Sequence, residues 1–458
     1  MELDPIILSR IQFAFVVSFH IIFPAFTIGL AAWLAVLEAA HLATGRAIYR
    51  RVFAFWMKVF AVSFGMGVVT GIVMAFQFGT NWGVLAEKMG SVQGPLLGYE
   101  GFTAFLLEAT FFGVMLLGRE RVSPRFYLFA CCMVALGTMF SSFWIMANNS
   151  WMQVPVGHAI EGGRIVPTDW WAIVAGPVMR VRWPHMLLGA YLTTGMCIIA
   201  TGAWYLLRRV HRDEAHLMLN WGLGLVALLI PLQLFVGHLT GDYVHRHQPA
   251  KFAAIEARWH AEQPATEVLI GWPDEAAERN LFALGVPRLG SFIASGTWDS
   301  REVGLTDFAK EDRPPVLIPF FAFRIMVGMG LVMLAISWFG LLLCWRGRLE
   351  RARWFLWGAF LSFPTGFVAV LSGWFTAEVG RQPWVVHGLL RTADAVTPSL
   401  RTGDVLASLA GYVLVYAVLM GFGMRYIYKL LRAGPSPGPA LPPGTTPKRP
   451  MALAGSAE

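Results

Sequence analysis

The sequence predicts an all-α integral membrane protein with about nine transmembrane helices. Three observations carry this. Of 458 residues, 56% are hydrophobic and only 14% charged, where a globular domain carries about 25% charged residues. Nine apolar stretches reach the roughly 20 residues that cross a bilayer. Arginine is concentrated in alternate short loops, the asymmetry that membrane insertion imposes. A soluble enzyme is excluded, and no nucleic-acid motif accompanies the net charge of +8.

The stretches lie near 12–38, 52–79, 97–118, 126–147, 183–207, 217–240, 317–344, 354–377 and 403–427. The first is long and holds polar residues, which reads as a retained span rather than a cleaved signal. The loops 39–51, 118–125, 208–216 and 345–353 hold 13 Arg in 39 residues. The loops 1–10, 80–96, 148–182 and 376–402 hold 8 Lys or Arg in 89. Positive loops stay in the cytoplasm, so the N-terminus is expected outside and the C-terminus inside. The organisation expected is spans one to six over 1–240, one large outer loop over 241–316, and spans seven to nine over 317–430. A disordered cytoplasmic tail is expected over 431–458, where Pro, Gly and Ala dominate. Cys131, Cys132, Cys197 and Cys344 sit in apolar stretches without metal-type spacing and read as packing residues. The 19 Trp, 34 Phe and 10 Tyr suit interfacial belts and also pack against flat macrocycles.

The chain's chemistry concentrates at one depth. The segment from Gly373 to Trp384, GWFTAEVGRQPW, runs an apolar span into Glu378. A carboxylate there is costly unless paired, protonated or bound. His20, Glu100, His185, Met326 and Glu378 all fall within roughly 12 Å of the outer edge at 1.5 Å per residue. Taken singly each has an ordinary reading. A membrane histidine often serves helix packing, Met326 is one of 20 Met, and a carboxylic acid can bond a neighbouring helix. The shared depth, with Arg324 two residues before Met326, favours a functional cluster. A His/Met pair makes a six-coordinate haem, and the thioether raises its potential. His185 with Met326 fits that description, and Arg324 would favour the reduced state. His20 and Glu378 can each supply one ligand to a haem with an open position. Glu108, eight residues beyond Glu100, points toward mid-membrane as a proton relay or an interhelical bond. His238 is the competing ligand, and the remaining eight histidines lie in loops and read as solvated.

With these residues in view, several motifs resemble one family. GWFTAEVGRQPW, FAFRIMVGMG, FQFGTNW, LGYEGFTAFLLEAT and NSWMQVP look like the large, haem-bearing subunit I of cytochrome bd-type quinol oxidases, and KFAAIEARW resembles its quinol-loop motif. The resemblance runs to about residue 430. It implies a terminal respiratory oxidase of the bacterial inner membrane, oxidising quinol and reducing O2 to water. It implies low-spin haem b on His185 and Met326 beside Arg324. A high-spin haem b, and haem d or a further haem b in its place, would use His20 and Glu378, with the assignment between the two open. Arg381 and Trp384 accompany Glu378 as cofactor-binding candidates. Glu100 matches the acidic residue at the oxygen-reducing pair, Glu108 the proton-path carboxylate, and Trp374 the aromatic between haems. Lys251 and Glu256 match the quinol-loop pair. The implied partners are subunit II, a small single-helix accessory subunit, quinol, O2 and the lipid bilayer. The outer loop, about 76 residues, resembles the short-loop branch that includes cyanide-insensitive oxidases. Ala109 stands where some relatives have serine. Quinol protons released outside, with protons for water taken from the cytoplasm, would generate proton-motive force without pumping. The alternatives are a haem-free transporter, which predicts an internal repeat or broken helices in matching positions, neither of which the sequence displays, and a cytochrome b that does not reduce oxygen.

Overall fold

The structure, a computed structural model, describes residues 4–435. Among these residues, nine helical segments are long and apolar enough to cross a membrane. They comprise α1 (Pro5–Thr44), α2 (Ala47–Thr80), α3 (Gly83–Tyr99) continued through a π turn into α4 (Leu106–Leu117), and α5 (Pro124–Gln153). Then come α6 (Trp170–Val174) with α7 (Met179–Arg208), α8 (Arg212–His247), and, after α9 (Pro249–Ile255) and α10 (Leu289–Ser295), α11 (Leu317–Trp345). The last two are α12 (Arg353–Leu361) with α13 (Thr365–Val379), and α14 (Thr402–Ala433). Three two-stranded antiparallel hairpins decorate the connections: β1 (His158–Glu161) with β2 (Arg164–Pro167), β3 (Glu267–Asp274) with β4 (Arg279–Val286), and β5 (Trp384–Val386) with β6 (Leu390–Arg391). The tail read as disordered begins helically in α14, and its residues 436–458 lie outside those described.

Local sequence sets the helix ends. Asp4 accepts a bond from Ile6 N–H with Pro5 in the first turn, and Ser123 does the same for Phe126 ahead of Pro124. Both satisfy donors that the first turn leaves open. Gly45 closes α1 with φ of 70°, a conformation that suits glycine. α7 and α8 pack closely because small residues let their backbones approach: a Cβ on Gly202 would lie 2.9 Å from Ala215 O, and one on Gly222 2.8 Å from Ile199 Cγ1.

Three segments differ from the sequence expectation. Residues 83–96, read as loop, are helical. Their buried face is Leu85, Met89, Val92 and Leu96, helically spaced, but the polar residues between them mask it in hydropathy. Glu100 therefore follows 17 residues of helix rather than opening a span. The eighth span is broken. Pro364 has no N–H to continue α12, and Thr365 N–H and Oγ1 both bond Ser362 O across the turn, at 3.1 and 2.7 Å. α8 continues past residue 240 to His247.

The core is divided. One half of the bundle is packed solid by Leu30, Leu34, Trp56, Phe60, Met196, Ile199, Leu219 and Phe355. The other half, toward residues 241–316, is hollow. Over it, Trp259, Leu305, Val316 and Phe320 form a small separate cluster, in which Trp259 Nε1–H donates to Asn280 Oδ1 and Asn280 Nδ2–H to Ala257 O.

Candidate functional site

The hollow is a cavity of about 1580 Å³. His20, Glu100, Glu108, His185, Lys251, Glu256, Arg324, Met326, Trp374, Glu378 and Arg381 all line it. Helices α1, α4, α7, α9, α11 and α13 and the π turn before α4 thus bring together residues spread over most of the chain. Trp384 is the exception among the predicted residues. It lies in β5 under the Arg391 guanidinium, 4.6 Å from the ring centroid, outside the lining. His238 lines the same cavity, as do His245 and His247, two of the histidines read as solvated.

His20 is held in one tautomer. Its Nδ1 lies 2.9 Å from Thr70 Oγ1. The Thr70 hydroxyl proton is committed to backbone carbonyls, Met66 O at 2.9 Å and Gly67 O at 3.1 Å. The Thr70 oxygen therefore accepts, Nδ1 donates, and Nε2 keeps its lone pair, the arrangement of a ligating imidazole. Gly71 makes room, since a Cβ there would sit 3.0 Å from His20 Cε1. His185 repeats the device with its Cε1 edge against Gly237, at 3.2 Å from where a Cβ would lie, and its Nδ1 is buried without a partner. Met326 Sδ lies 2.9 Å from the missing Cβ of Gly373.

Glu378 is the hub of a buried polar network. Its Oε1 accepts from Asn149 Nδ2 at 3.0 Å and Gln153 Nε2 at 3.1 Å, and its Oε2 from Arg381 Nη2. Arg182 Nη2 stands 4.0 Å from Oε1 and donates to Asn149 Oδ1 at 2.6 Å. Lys251 joins here, with Nζ donating to Gln153 Oε1 at 2.9 Å. Burial, then Arg182, holds the Lys251 ammonium well below the usual lysine range against the opposing pull of Glu378. His387, expected to be solvated, is half-buried, and burial followed by Lys251 lowers its pKa.

The quinol-loop pair is thereby split. Among the described residues no ion pair joins Lys251 to Glu256. Glu256 instead meets Arg324, Nη2 to Oε2 at 3.4 Å. Arg324 lies over the Phe320 ring, 3.6 Å from its centroid. It donates to Ile255 O at 2.9 Å and through Nε to Val268 O at 3.0 Å. One guanidinium thus ties a spanning helix to α9 and β3. The short helix α9 separates the two residues because positions five apart do not share a face as positions three or four apart do.

Glu100 opens the π turn Glu100–Phe105 and accepts from Ser141 Oγ at 2.9 Å. Such turns inside helices frequently mark functional sites. The turn also changes the register between Glu100 and Glu108, so a regular-helix estimate of their separation does not hold. Glu108 is buried, its Oε1 has no partner, and a Cβ on Gly137 would lie 2.6 Å from its Cγ.

Among the described residues no three His, Cys, Asp or Glu cluster as a metal cage. Donor atoms spread around a broad, mainly apolar cavity, each backed by a glycine or a polar anchor, instead fit flat groups taking one or two axial ligands. Arg182, Asn149, Gln153, Thr70 and Glu267 belong to the site without being singled out as ligands from the sequence. Asn149 and Gln153 lie in the NSWMQVP motif, which was the one available signal.

Residues 8–435 match the family model described as cytochrome bd terminal oxidase subunit I. The chain is 33% identical to cytochrome bd-II ubiquinol oxidase subunit 1 of Escherichia coli (strain K12), covering 94% of this chain and 97% of that one. It is 34% identical to cytochrome bd ubiquinol oxidase subunit 1 of Bacillus subtilis (strain 168), covering 91% of each. A solved structure of bd oxidase from Geobacillus thermodenitrificans superposes with a TM-score of 0.86 at 26% identity, over 94% of this chain and 99% of that one. The chain therefore belongs to the cytochrome bd terminal oxidase subunit I family, as a multi-pass bacterial inner-membrane quinol:oxygen oxidoreductase.

Proposed function

We infer that this chain oxidises membrane quinol at the face carrying residues 241–316 and reduces O2 to water within the cavity, drawing protons from the opposite, cytoplasmic side. The observation that carries this is the convergence of His20, His185, Met326, Glu378, Arg324 and Glu256 on one cavity. His185 and Met326 would hold low-spin haem b. His20 and Glu378 would each hold one of two high-spin haems, one haem b and the other haem d or a further haem b. Bound haem supplies one-electron transfer and an open iron position for oxygen. The rest falls to the chain's own side chains. Glu256, charged and oriented by Arg324, accepts a quinol proton. Trp374 fills space between the ligand-bearing helices. Glu100 and Glu108 form the outer end of the path that brings protons for water, with an entrance shared with a second subunit. Arginine-rich loops at the solid end support a cytoplasmic placement of that end. Charge is then separated without a pump, because quinol protons leave on one side and water protons enter from the other. A small accessory subunit completes the complex.

Two measurements test this. In membranes containing the chain and its partner, the reduced-minus-oxidised spectrum should show haem bands that shift with carbon monoxide. Haem bands indifferent to carbon monoxide would leave only an electron-transferring cytochrome, and no bands would remove the oxidase reading. Glu256→Ala should slow quinol-driven oxygen uptake by about 100-fold, the scale of losing a proton acceptor, with the haem bands intact. Normal turnover would move the quinol site elsewhere. Thr70→Val offers a subtler check. It removes the acceptor that fixes His20, and a supporting contact of this kind is worth about 10- to 100-fold in ligand affinity. Occupancy of one high-spin haem should fall while the His185 and Met326 signal stays.

A further inference from the structure

Glu267 stands beside Glu256 with no role in the reading above. It opens β3, eleven residues after Glu256, and is 7% exposed where Glu256 is 4% exposed. Arg324 Nη2 lies 3.5 Å from Glu267 Oε1 and 3.4 Å from Glu256 Oε2. Both carboxyl groups therefore meet the same guanidinium nitrogen, and Glu267 Oε2 is buried without any N–H or hydroxyl donor. Ionised carboxylates only accept, so two gathered at one nitrogen can bond each other only if one carries a proton. Both line the cavity.

We propose that Glu267 is a positioning residue for quinol oxidation: it holds the single proton of a Glu256–Glu267 carboxyl pair, keeping Glu256 charged and aimed at the bound quinol. The proposal rests on reading the cavity beside Glu256 as the quinol site. Burial, and then the Glu256 carboxylate, hold the Glu267 carboxyl above the ordinary carboxylate range. Arg324 and, more weakly, Arg258 oppose this, and Arg258 makes no ion pair with either carboxylate among the described residues. With one proton in the pair, its remaining charge matches the one guanidinium bonded to both. A doubly ionised pair would set like charges in contact inside a buried site.

The step balances. Quinol loses two electrons and two protons. For each proton a quinol O–H bond breaks and an O–H bond forms on Glu256, giving a doubly protonated pair. One proton then leaves to water at the loop face and restores the shared proton. The electrons go to O2, the oxidant of the established activity, two quinols yielding two waters per O2.

The test is quinol-driven oxygen uptake by the intact complex across pH, using a short-chain ubiquinol, for Glu267→Gln, Glu267→Asp and Glu256→Gln. Glu267 keeps its proton below its raised pKa and loses it as pH rises through that value. The wild-type rate should therefore fall on the alkaline side. Glu267→Gln cannot ionise, so this limb should vanish. Its kcat should drop about tenfold, the effect of one pKa unit at a proton acceptor, with KM unchanged. Glu267→Asp should restore the limb. Infrared difference spectra should show a protonated carboxyl that titrates with the same alkaline limb and is lost in Glu267→Gln. A wild-type rate, profile and carboxyl band in Glu267→Gln would overturn the proposal, as would the absence of that band from the wild type if the glutamine variant does not assemble. Normal turnover in Glu256→Gln would instead overturn the quinol-site reading itself, and this inference with it.

Discussion

Met326→Leu is expected to abolish the low-spin haem signal and lower quinol-driven oxygen uptake by at least about 100-fold, the upper end of what losing only a supporting contact costs at a metal site. The substitution is nearly volume-conserving, and such swaps cost under about 1.5 kcal/mol, so the protein should still insert and the other haems should stay. The sulfur faces Gly373, where a Cβ would come within 2.9 Å of it. Leucine branches earlier than methionine and presents no donor atom. Haem content per protein and the reduced spectrum of the purified complex check this. An unchanged spectrum would remove Met326 as a ligand and leave it as packing for α11 against α13.

Glu378→Ala is expected to be more damaging to the protein than to any single electron-transfer step. Removing the carboxylate leaves Arg182 and Arg381 buried with no negative partner. Breaking one side of a buried pair costs about 3–5 kcal/mol, a large part of a typical folding free energy of about 5–15 kcal/mol. Asn149 Nδ2 and Gln153 Nε2 would also lose their acceptor. Poor assembly is the expected outcome, read as low yield of complex in detergent. Glu378→Gln keeps an oxygen toward Asn149 and Gln153 but turns an amide toward Arg381. That variant should therefore assemble better than Glu378→Ala though below wild type, and the complex that forms should lack one high-spin haem and oxygen reduction. Full haem content in Glu378→Gln would show the carboxylate to be a structural hub and not a ligand.

Lys251 and Glu256 show where a motif misleads about contacts. As a sequence pair they suggest a lysine tuning a neighbouring carboxylate. In the fold Lys251 reaches Gln153 in the Glu378 network, while Glu256 turns to Arg324. Glu267 has no motif around it, and only Arg324, which reaches both carboxylates from α11, makes it a neighbour of Glu256. Arg182 was hidden for the same reason. It lies far along the chain from Glu378, and a hydrogen-bond network between helices leaves no periodic trace in the sequence.

Hydropathy and charge determined the spans, because burial in lipid demands long apolar helices with satisfied backbones, and that requirement is local in sequence. The same locality let rise per residue point to His20, Glu100, His185, Met326 and Glu378 as one group, and all five line one cavity. Tertiary structure alone decided the rest. The π turn at Glu100 and the break at Pro364 altered helix register, the amphipathic segment 83–96 became helix by packing on Trp151 and Val386, and the lone pair on His20 Nε2 was set by Thr70, fifty residues away. These depend on which helix faces which, and side-chain partners across helices are chosen by packing that no single segment encodes.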